Sequence, residues 1–180
     1  FSAGASEYFS EFNDWSEIQK QAIKYARGRV LDVGAGAGRV SLYLQNKNFD
    51  VLAIDNSPLA IEVCKMRGVK YAKVLPIEHI NKFKPNSFDT IIMLGNNFGL
   101  FGNYNKAKNL LKKFYKITSK DALIIVESVD LYRAEETRHL AYHKLNRQKG
   151  RMAGQLRIRV RFRNYATDWF DFLFVSKDEM

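Results

Sequence analysis

Three glycines at alternate positions, Gly34, Gly36 and Gly38, stand just beyond the β-rich run 30–33, with Ala35 and Ala37 between them and the acid Asp32 two residues before the first. Small residues at the end of such a run let a ligand approach the backbone closely, at the carboxyl ends of the strands where α/β sheets bind their ligands. Taken alone, a Gly-x-Gly-x-Gly stretch is a weak signal. A second acid strengthens it: Asp55 ends the next apolar run, 21 residues after Gly34, where a carboxylate accepts both hydroxyls of a ribose. The pair reads as a nucleoside site. In the purely structural alternative Asp32 caps the following turn and the glycines permit helix packing; the coincidence of the loop with Asp55 weighs against it.

Charge narrows the choice of nucleoside. A dinucleotide would bring its pyrophosphate near the loop, where Asp32 repels it. No Gly-Lys-Ser/Thr follows the glycines, which counts against ATP and GTP. S-adenosylmethionine carries an α-ammonium and a sulfonium, both cationic, so an acid just before the glycines favours it.

With these residues in view, the chain resembles the class I S-adenosylmethionine-dependent methyltransferases. Residues 31–38 are similar to that family's first motif, residues 53–58 to its second, and residues 88–96 to its fourth-strand motif. The resemblance covers about residues 28–130. It implies that residues 34–38 line the methionine portion, that Asp55 holds the ribose, and that Gly95 and Asn96 border the transferring methyl. The adenine motif departs from the pattern: where an aspartate is common, this chain has Leu75-Pro76-Ile77-Glu78, which sets Ile77 against the ring and Glu78 near the amino group. The cofactor set is then Asp32, Gly34, Ala35, Gly36, Gly38, Asp55, Asn56, Ile77, Glu78, Leu94, Gly95 and Asn96, with S-adenosylhomocysteine as the product.

Methyl transfer is an in-line displacement at a carbon already activated by the sulfonium, so the protein mainly holds nucleophile and methyl together and excludes water. A general base is required only if the nucleophile arrives protonated, and no catalytic residue is assigned. Substrate-contact candidates are Asn97, Tyr132, His139 and His143, with Asn96 and Tyr142 beside them. His139 and His143 stand at i, i+4, but no Glu follows His139, so the zincin pattern is missing and no metal is expected. Residues 95–98 lack the prolines of the methyltransferases that act on flipped DNA bases, which disfavours that subclass.

The elements that must position these residues follow an α/β pattern, and the expected fold is Rossmann-like, a mostly parallel sheet with helices on both faces. Strands are expected at 30–33, 51–54, 69–74, 88–94 and 122–127. Helices are expected at 39–46, after the Ser57 cap with Pro58 at its first position and Gly68 past its end, and at 106–119. Residues 7–27 read as helical, giving one domain with an N-terminal helical lid over 1–28, a cofactor-binding core over 29–130 and a substrate-cover insertion over 131–175. Within the insertion, residues 131–148 read as helix. Residues 155–163 alternate Leu156, Ile158, Val160 and Phe162 with Arg157, Arg159, Arg161 and Arg163, a period-two strand. Paired with 169–175 through a five-residue loop, it forms an antiparallel hairpin with Phe162 opposite Phe170 and Arg161 opposite Asp171. Ser176 and Glu179 have the form of a capping box. A further helix and two strands are implied beyond it, so the chain is expected to be C-terminally incomplete; its start at Phe1 reads as trimmed, with no secretion leader.

With 180 residues, 46% hydrophobic and 13% aromatic, the chain has the means for a core, which excludes general disorder. The net charge of +10 is concentrated: residues 104–120 hold six Lys and no acid, and 144–163 hold eight Lys or Arg and no acid. Such segments suit an anionic small substrate or RNA, or form solvated faces. The arginine face of 155–163 is expected to lie toward the substrate entrance and select negative charge. The single cysteine, Cys64, excludes an internal disulfide and suits a reducing cytosol, so a cytoplasmic location is expected. No apolar stretch reaches the length of a membrane span, and no membrane partner is expected. The leading function is methyl transfer to a small molecule. The alternatives are RNA methyl transfer and a non-catalytic S-adenosylmethionine-binding partner subunit.

Overall fold

The structure is a computed structural model that describes residues 4–133 and 137–180. Two units make it up: Phe1–Leu94 with Lys112–Val126, and Gly95–Leu111 with Glu127–Met180.

In the first unit the expected helix over 7–27 breaks into short pieces. A 3-10 turn at Ala5–Phe9, another at Phe12–Asp14, α1 (Glu17–Ala22) and a further 3-10 turn at Ile23–Tyr25 succeed one another. Ser10 and Ser16 interrupt the run, because their hydroxyls bond to nearby backbone: Ser10 Oγ donates to the Glu7 carbonyl at 3.0 Å, and Ser16 Oγ caps α1 by accepting from Gln19 N–H at 3.2 Å. Then β1 (Arg29–Val33) leads into α2 (Arg39–Asn46), β2 (Asp50–Asp55) into α3 (Pro58–Met66), and β3 (Ala72–Val74) and a 3-10 segment at Ile77–Lys82 into β4 (Phe88–Met93). α4 (Tyr104–Ile117) precedes β5 (Thr118–Val126). The sheet order is β3-β2-β1-β4-β5, and all four pairings are parallel. This is the expected Rossmann-like sheet. Chain order reverses at β1, with β2 on one side and β4 on the other, which makes the crevice at the carboxyl end of β1 the place where such sheets take ligands.

Local signals account for these boundaries. Ser57 Oγ accepts from Ala60 N–H at 3.2 Å, Pro58 needs no N–H donor in the first turn, and Gly68 takes φ 95° just past the end of α3. β3 starts later than its apolar run suggests, since Val69 N–H still bonds the Cys64 carbonyl at 3.0 Å in the helix exit. A core cluster joins Trp15, Ile23 and Val30 to Val40, Leu44, Ile92 and Leu94, and a second joins Ala35, Ala53, Cys64 and Val69.

The second unit carries a 3-10 segment at Asn97–Phe101, another at Leu131–Arg133, and α5 (Thr137–Gln148). The helix expected over 131–148 crosses residues 134–136, which lie outside the described residues. Four short strands follow: β6 (Gln155–Ile158), β7 (Arg161–Phe162), β8 (Tyr165–Ala166) and β9 (Phe170–Leu173). Here the expected register is corrected. Ile158 faces Phe170 and Arg157 faces Asp171 in the β6–β9 ladder, while Phe162 faces Tyr165 in β7–β8. The chain reverses at residues 163–164, with Arg163 in the left-handed region at φ 51°, instead of through a five-residue loop. Thr167 then ties the two ladders together: its N–H donates to the Val160 carbonyl and its Oγ1 accepts from Val160 N–H, both at 3.0 Å. In β6–β9 the slip is four residues, so each side chain there keeps its face and an arginine still meets Asp171, whereas β7–β8 and the Val160–Thr167 pair are offset by one residue more. The apolar face is shallower than expected, with Val160 exposed; the side chain of Phe162 lies outside the described set.

Two glycines let this unit close. A Cβ on Gly99 would stand 2.0 Å from the Phe172 ring, and one on Gly154 would stand 2.2 Å from the Phe174 carbonyl oxygen. Asn146, buried on α5, donates through Nδ2 to the carbonyls of Ala153 at 3.0 Å and Gln155 at 2.7 Å, which fixes the start of β6.

Candidate cofactor site

The glycine loop grows out of β1 by a simple parity rule. Successive strand residues point to opposite faces, so Asp32 shares the face of Val30, which packs in the cluster containing Val40 and Leu44 of α2. Asp32 is therefore buried beneath α2. Its Oδ2 accepts from Ser41 Oγ at 2.6 Å, and the backbone N–H of Ser41 bonds it as well. Gly38, the residue before α2, has no side chain to cap the helix, and the Asp32 carboxylate supplies that function from the neighbouring strand. Burial pushes the Asp32 pKa up from 3.8 to about 6, against the pull of Ser41 and Arg39.

That shift predicts a pH signature. A carboxyl that holds its proton more tightly folded than unfolded contributes stability that is complete below pH 4 and lost as pH rises through 6. The full swing corresponds to about 3 kcal/mol. Urea unfolding between pH 4 and 7 should show wild type losing ground to Asp32→Asn over that window; parallel profiles for the two proteins would contradict the assignment.

The loop itself is pinned to β2. Gly34 and Ala35 N–H groups both donate to the Ile54 carbonyl, at 2.9 and 3.0 Å, and Gly38 N–H donates to the Ala35 carbonyl at 2.8 Å. Gly34, Gly36 and Gly38 take φ of 73°, 57° and 78°. At Gly38 there is also no room: an added Cβ would lie 2.7 Å from Val69 Cγ2 and 3.0 Å from Cys64 Sγ. Cys64 donates to the Gly36 carbonyl at 3.1 Å, and burial raises its pKa to about 11, so it is a neutral packing group. Asp55 bridges the loop to the next helix. Its Oδ2 accepts from Gly36 N–H at 3.0 Å and its Oδ1 from Ser57 N–H at 2.9 Å. Each oxygen keeps further acceptor capacity, because a carboxylate offers about four lone-pair positions.

Other expected residues fall as follows. Asn56 is exposed beside Asp55, Ile77 is buried at the start of its 3-10 segment, and Glu78 is exposed, with its carbonyl accepting from Lys113 Nζ at 2.5 Å. Leu94 packs in the core cluster with Trp15. In the fourth-strand motif Asp89 serves the amino end of the sheet, where its Oδ2 accepts from Arg29 N–H at 2.8 Å; that bond holds its pKa below the usual carboxylate range.

The remaining candidates lie in the second unit. Gly95 and Asn96 take φ of 74° and 64°, and Gly95 N–H donates to Glu127 Oε2 at 2.6 Å. Asn97 opens the 3-10 segment 97–101. Tyr132 is engaged: its hydroxyl donates to Glu179 Oε1 at 2.6 Å, and this bond raises its pKa. Glu179 Oε2 accepts from Ser176 N–H at 3.0 Å and Ser176 Oγ from Glu179 N–H at 3.3 Å, so the capping box forms. His143 is buried, which lowers its pKa with help from Arg147 and His139; His139 is half-buried one turn away on α5 and Tyr142 is partly exposed. Among the described residues no three His, Cys, Asp or Glu side chains cluster in a way that would hold a metal ion. The bonds of Glu127 to Gly95 N–H and of Glu179 to the Tyr132 hydroxyl are two contacts that the sequence reading missed.

A parallel sheet that reverses order at a glycine loop, with an acid at the end of the neighbouring strand, defines a nucleoside-cofactor domain. The family model described as a methyltransferase domain matches residues 31–126, and the chain belongs to that family, with the class I, S-adenosylmethionine-dependent type of fold and cofactor. A SAM-dependent methyltransferase from Bacteroides fragilis, solved in complex with S-adenosyl-L-homocysteine, superposes with a TM-score of 0.81 at 29% identity, covering 98% of this chain and 70% of that one. An uncharacterized methyltransferase of Staphylococcus carnosus (strain TM300) is 43% identical over 51 residues, 28% of this chain and 25% of its own length. The glycine/sarcosine/dimethylglycine N-methyltransferase of Actinopolyspora halophila is 28% identical over 110 residues, 57% of this chain and 20% of its own length. The chain thus spans a quarter or less of these two curated relatives.

Proposed function

We propose that the first unit binds S-adenosylmethionine on residues 34–38 with Asp55 as the ribose acceptor, and that the protein transfers its methyl group to a small anionic molecule. The observation that carries the cofactor placement is Asp55 itself, which already holds Gly36 N–H and Ser57 N–H and has acceptor capacity left for two hydroxyls. In the reaction the lone pair of the nucleophile forms the bond to the methyl carbon, and the carbon–sulfur pair returns to sulfur, leaving S-adenosylhomocysteine. An amine nucleophile must first shed its proton to water or to a base.

Two features support the anionic small molecule. The Actinopolyspora halophila relative is an N-methyltransferase of glycine and its methylated forms. Residues 157, 159, 161 and 163 are exposed arginines, of which Arg157 faces Asp171 and Arg159 lies 4.9 Å over the Trp169 ring. We assign substrate recognition to residues 131–175 on this basis. A labelled-methyl screen over small amino acids, other metabolites and RNA tests the reading: transfer to a carboxylate-bearing metabolite supports it, whereas transfer to RNA alone overturns the small-molecule assignment. Replacing Arg159 and Arg161 with Gln should raise KM for an anionic substrate about five- to tenfold, the scale of two partly screened charge contacts. Its salt dependence should flatten and cofactor affinity should stay unchanged. Equal kinetics and equal salt response would return these arginines to a solvated face.

A further inference from the structure

We propose that Arg67 is a positioning residue, a latch that holds the N-terminal turn Ala5–Phe9 against the cofactor loop and sets how fast the cofactor leaves. The inference rests on the placement of the cofactor at residues 34–38. Arg67, the residue that ends α3, is half-buried and touches both sides of the closure. Its Nη1 donates to the Ala37 carbonyl at 2.7 Å and reaches the Tyr8 carbonyl at 3.4 Å, and its guanidinium carbon lies 5.0 Å from the centre of the Phe9 ring. The planar fork lets one side chain serve a loop carbonyl, a turn carbonyl and an aromatic face together.

The turn covers the loop where the loop has no side chain. Tyr8 Cδ1 lies 3.4 Å from the position that a Cβ on Gly36 would take, so the ring rests on the open face of that glycine. Little else holds it there. The described side chains of residues 4–9 are all exposed, Tyr8 and Phe9 at 54% and 48%, so no apolar burial anchors the segment. The next anchors along the chain are Phe12, stacked on Tyr43 with ring centres 4.4 Å apart, and buried Trp15, whose Nε1 donates to the Ser10 carbonyl at 3.2 Å. A segment with few buried contacts opens at low cost, and Ser10 is where this one would pivot. Arg67 bonds the loop far more tightly than the turn, so it stays with the loop and the turn leaves.

The test is the dissociation of S-adenosylhomocysteine from the full chain by rapid-mixing displacement, with chymotryptic cleavage after Tyr8 and Phe9 measured with and without that ligand. Arg67→Gln should release the ligand about tenfold faster with association little changed, because such contacts act mainly on the off-rate. Bound ligand should slow cleavage in wild type and not in the variant. Phe9→Leu keeps the Arg67–Ala37 bond, should show the same two changes more weakly, and decides the matter if Arg67→Gln does not fold. Wild-type release and wild-type protection in the variants would overturn the latch alone. Failure of wild type to bind the ligand would overturn the cofactor placement, and the latch with it.

Discussion

Asp55→Ala should weaken binding of S-adenosylhomocysteine by about 1 to 3 kcal/mol, roughly five- to 150-fold, the scale on which buried polar partners are left unpaired. The carboxylate has two tasks that the variants separate. It holds Gly36 N–H and Ser57 N–H, so its loss loosens the loop, and it offers the remaining acceptor positions to the ribose. Asp55→Asn keeps one carbonyl oxygen for one of the two backbone donors and places an NH2 where an acceptor stood, so it should fall between wild type and Asp55→Ala. Calorimetric titration measures the affinities, and thermal unfolding without ligand measures the loop's share. Unchanged affinity in both variants would remove Asp55 from the site. An affinity loss matched by an equal loss of ligand-free stability would make it a loop anchor only.

Gly154→Ala should destabilise the protein by about 3 kcal/mol, the upper range for overpacking. The new methyl would meet the Phe174 carbonyl oxygen at 2.2 Å and Leu131 Cδ2 at 2.5 Å. A flexible side chain could give way, but the oxygen belongs to a backbone held at 3.0 Å by the bond from Phe174 N–H to the Gly154 carbonyl. Gly150 is the natural control. It has φ 67° and open space around the added Cβ, so its alanine variant carries only the cost of a left-handed backbone, about 1 to 2 kcal/mol. Urea midpoints of the two variants measure the difference, and equal midpoints would contradict the close approach of the Phe174 backbone to residue 154.

The parts of the fold that were legible in the sequence are those written locally. The glycine loop follows a strand directly, Ser57-Pro58 and Gly68 bracket α3 within a dozen residues, and each of the five sheet strands contains a short apolar run, while their order comes from the structure. What failed to show depends on pairs far apart in the chain. Nothing near Tyr132 announces Glu179, and nothing near Arg67 announces Tyr8 and Phe9. The hairpin register turned on a single arginine, Arg163, accepting a left-handed backbone that composition would assign to glycine or asparagine. The N-terminal helical region was legible from aromatic residues at helical spacing, but its division into short turns was not, because it depends on the two serines that break the run. Asp32 shows an intermediate case: its type and position were legible and a cap on the following turn was one of its two sequence readings, and the structure buries the carboxylate under α2, bonded to Ser41.

The central claim is that the cofactor sits on the glycine loop, and amide chemical shifts of the labelled chain test it most directly. Titration with S-adenosylhomocysteine should move the N–H signals of Gly34, Ala35, Gly36 and Gly38 and saturate at one ligand per chain, with Gly36 reporting through the Asp55 bond. Saturation of the protein with those four signals unmoved would contradict the account.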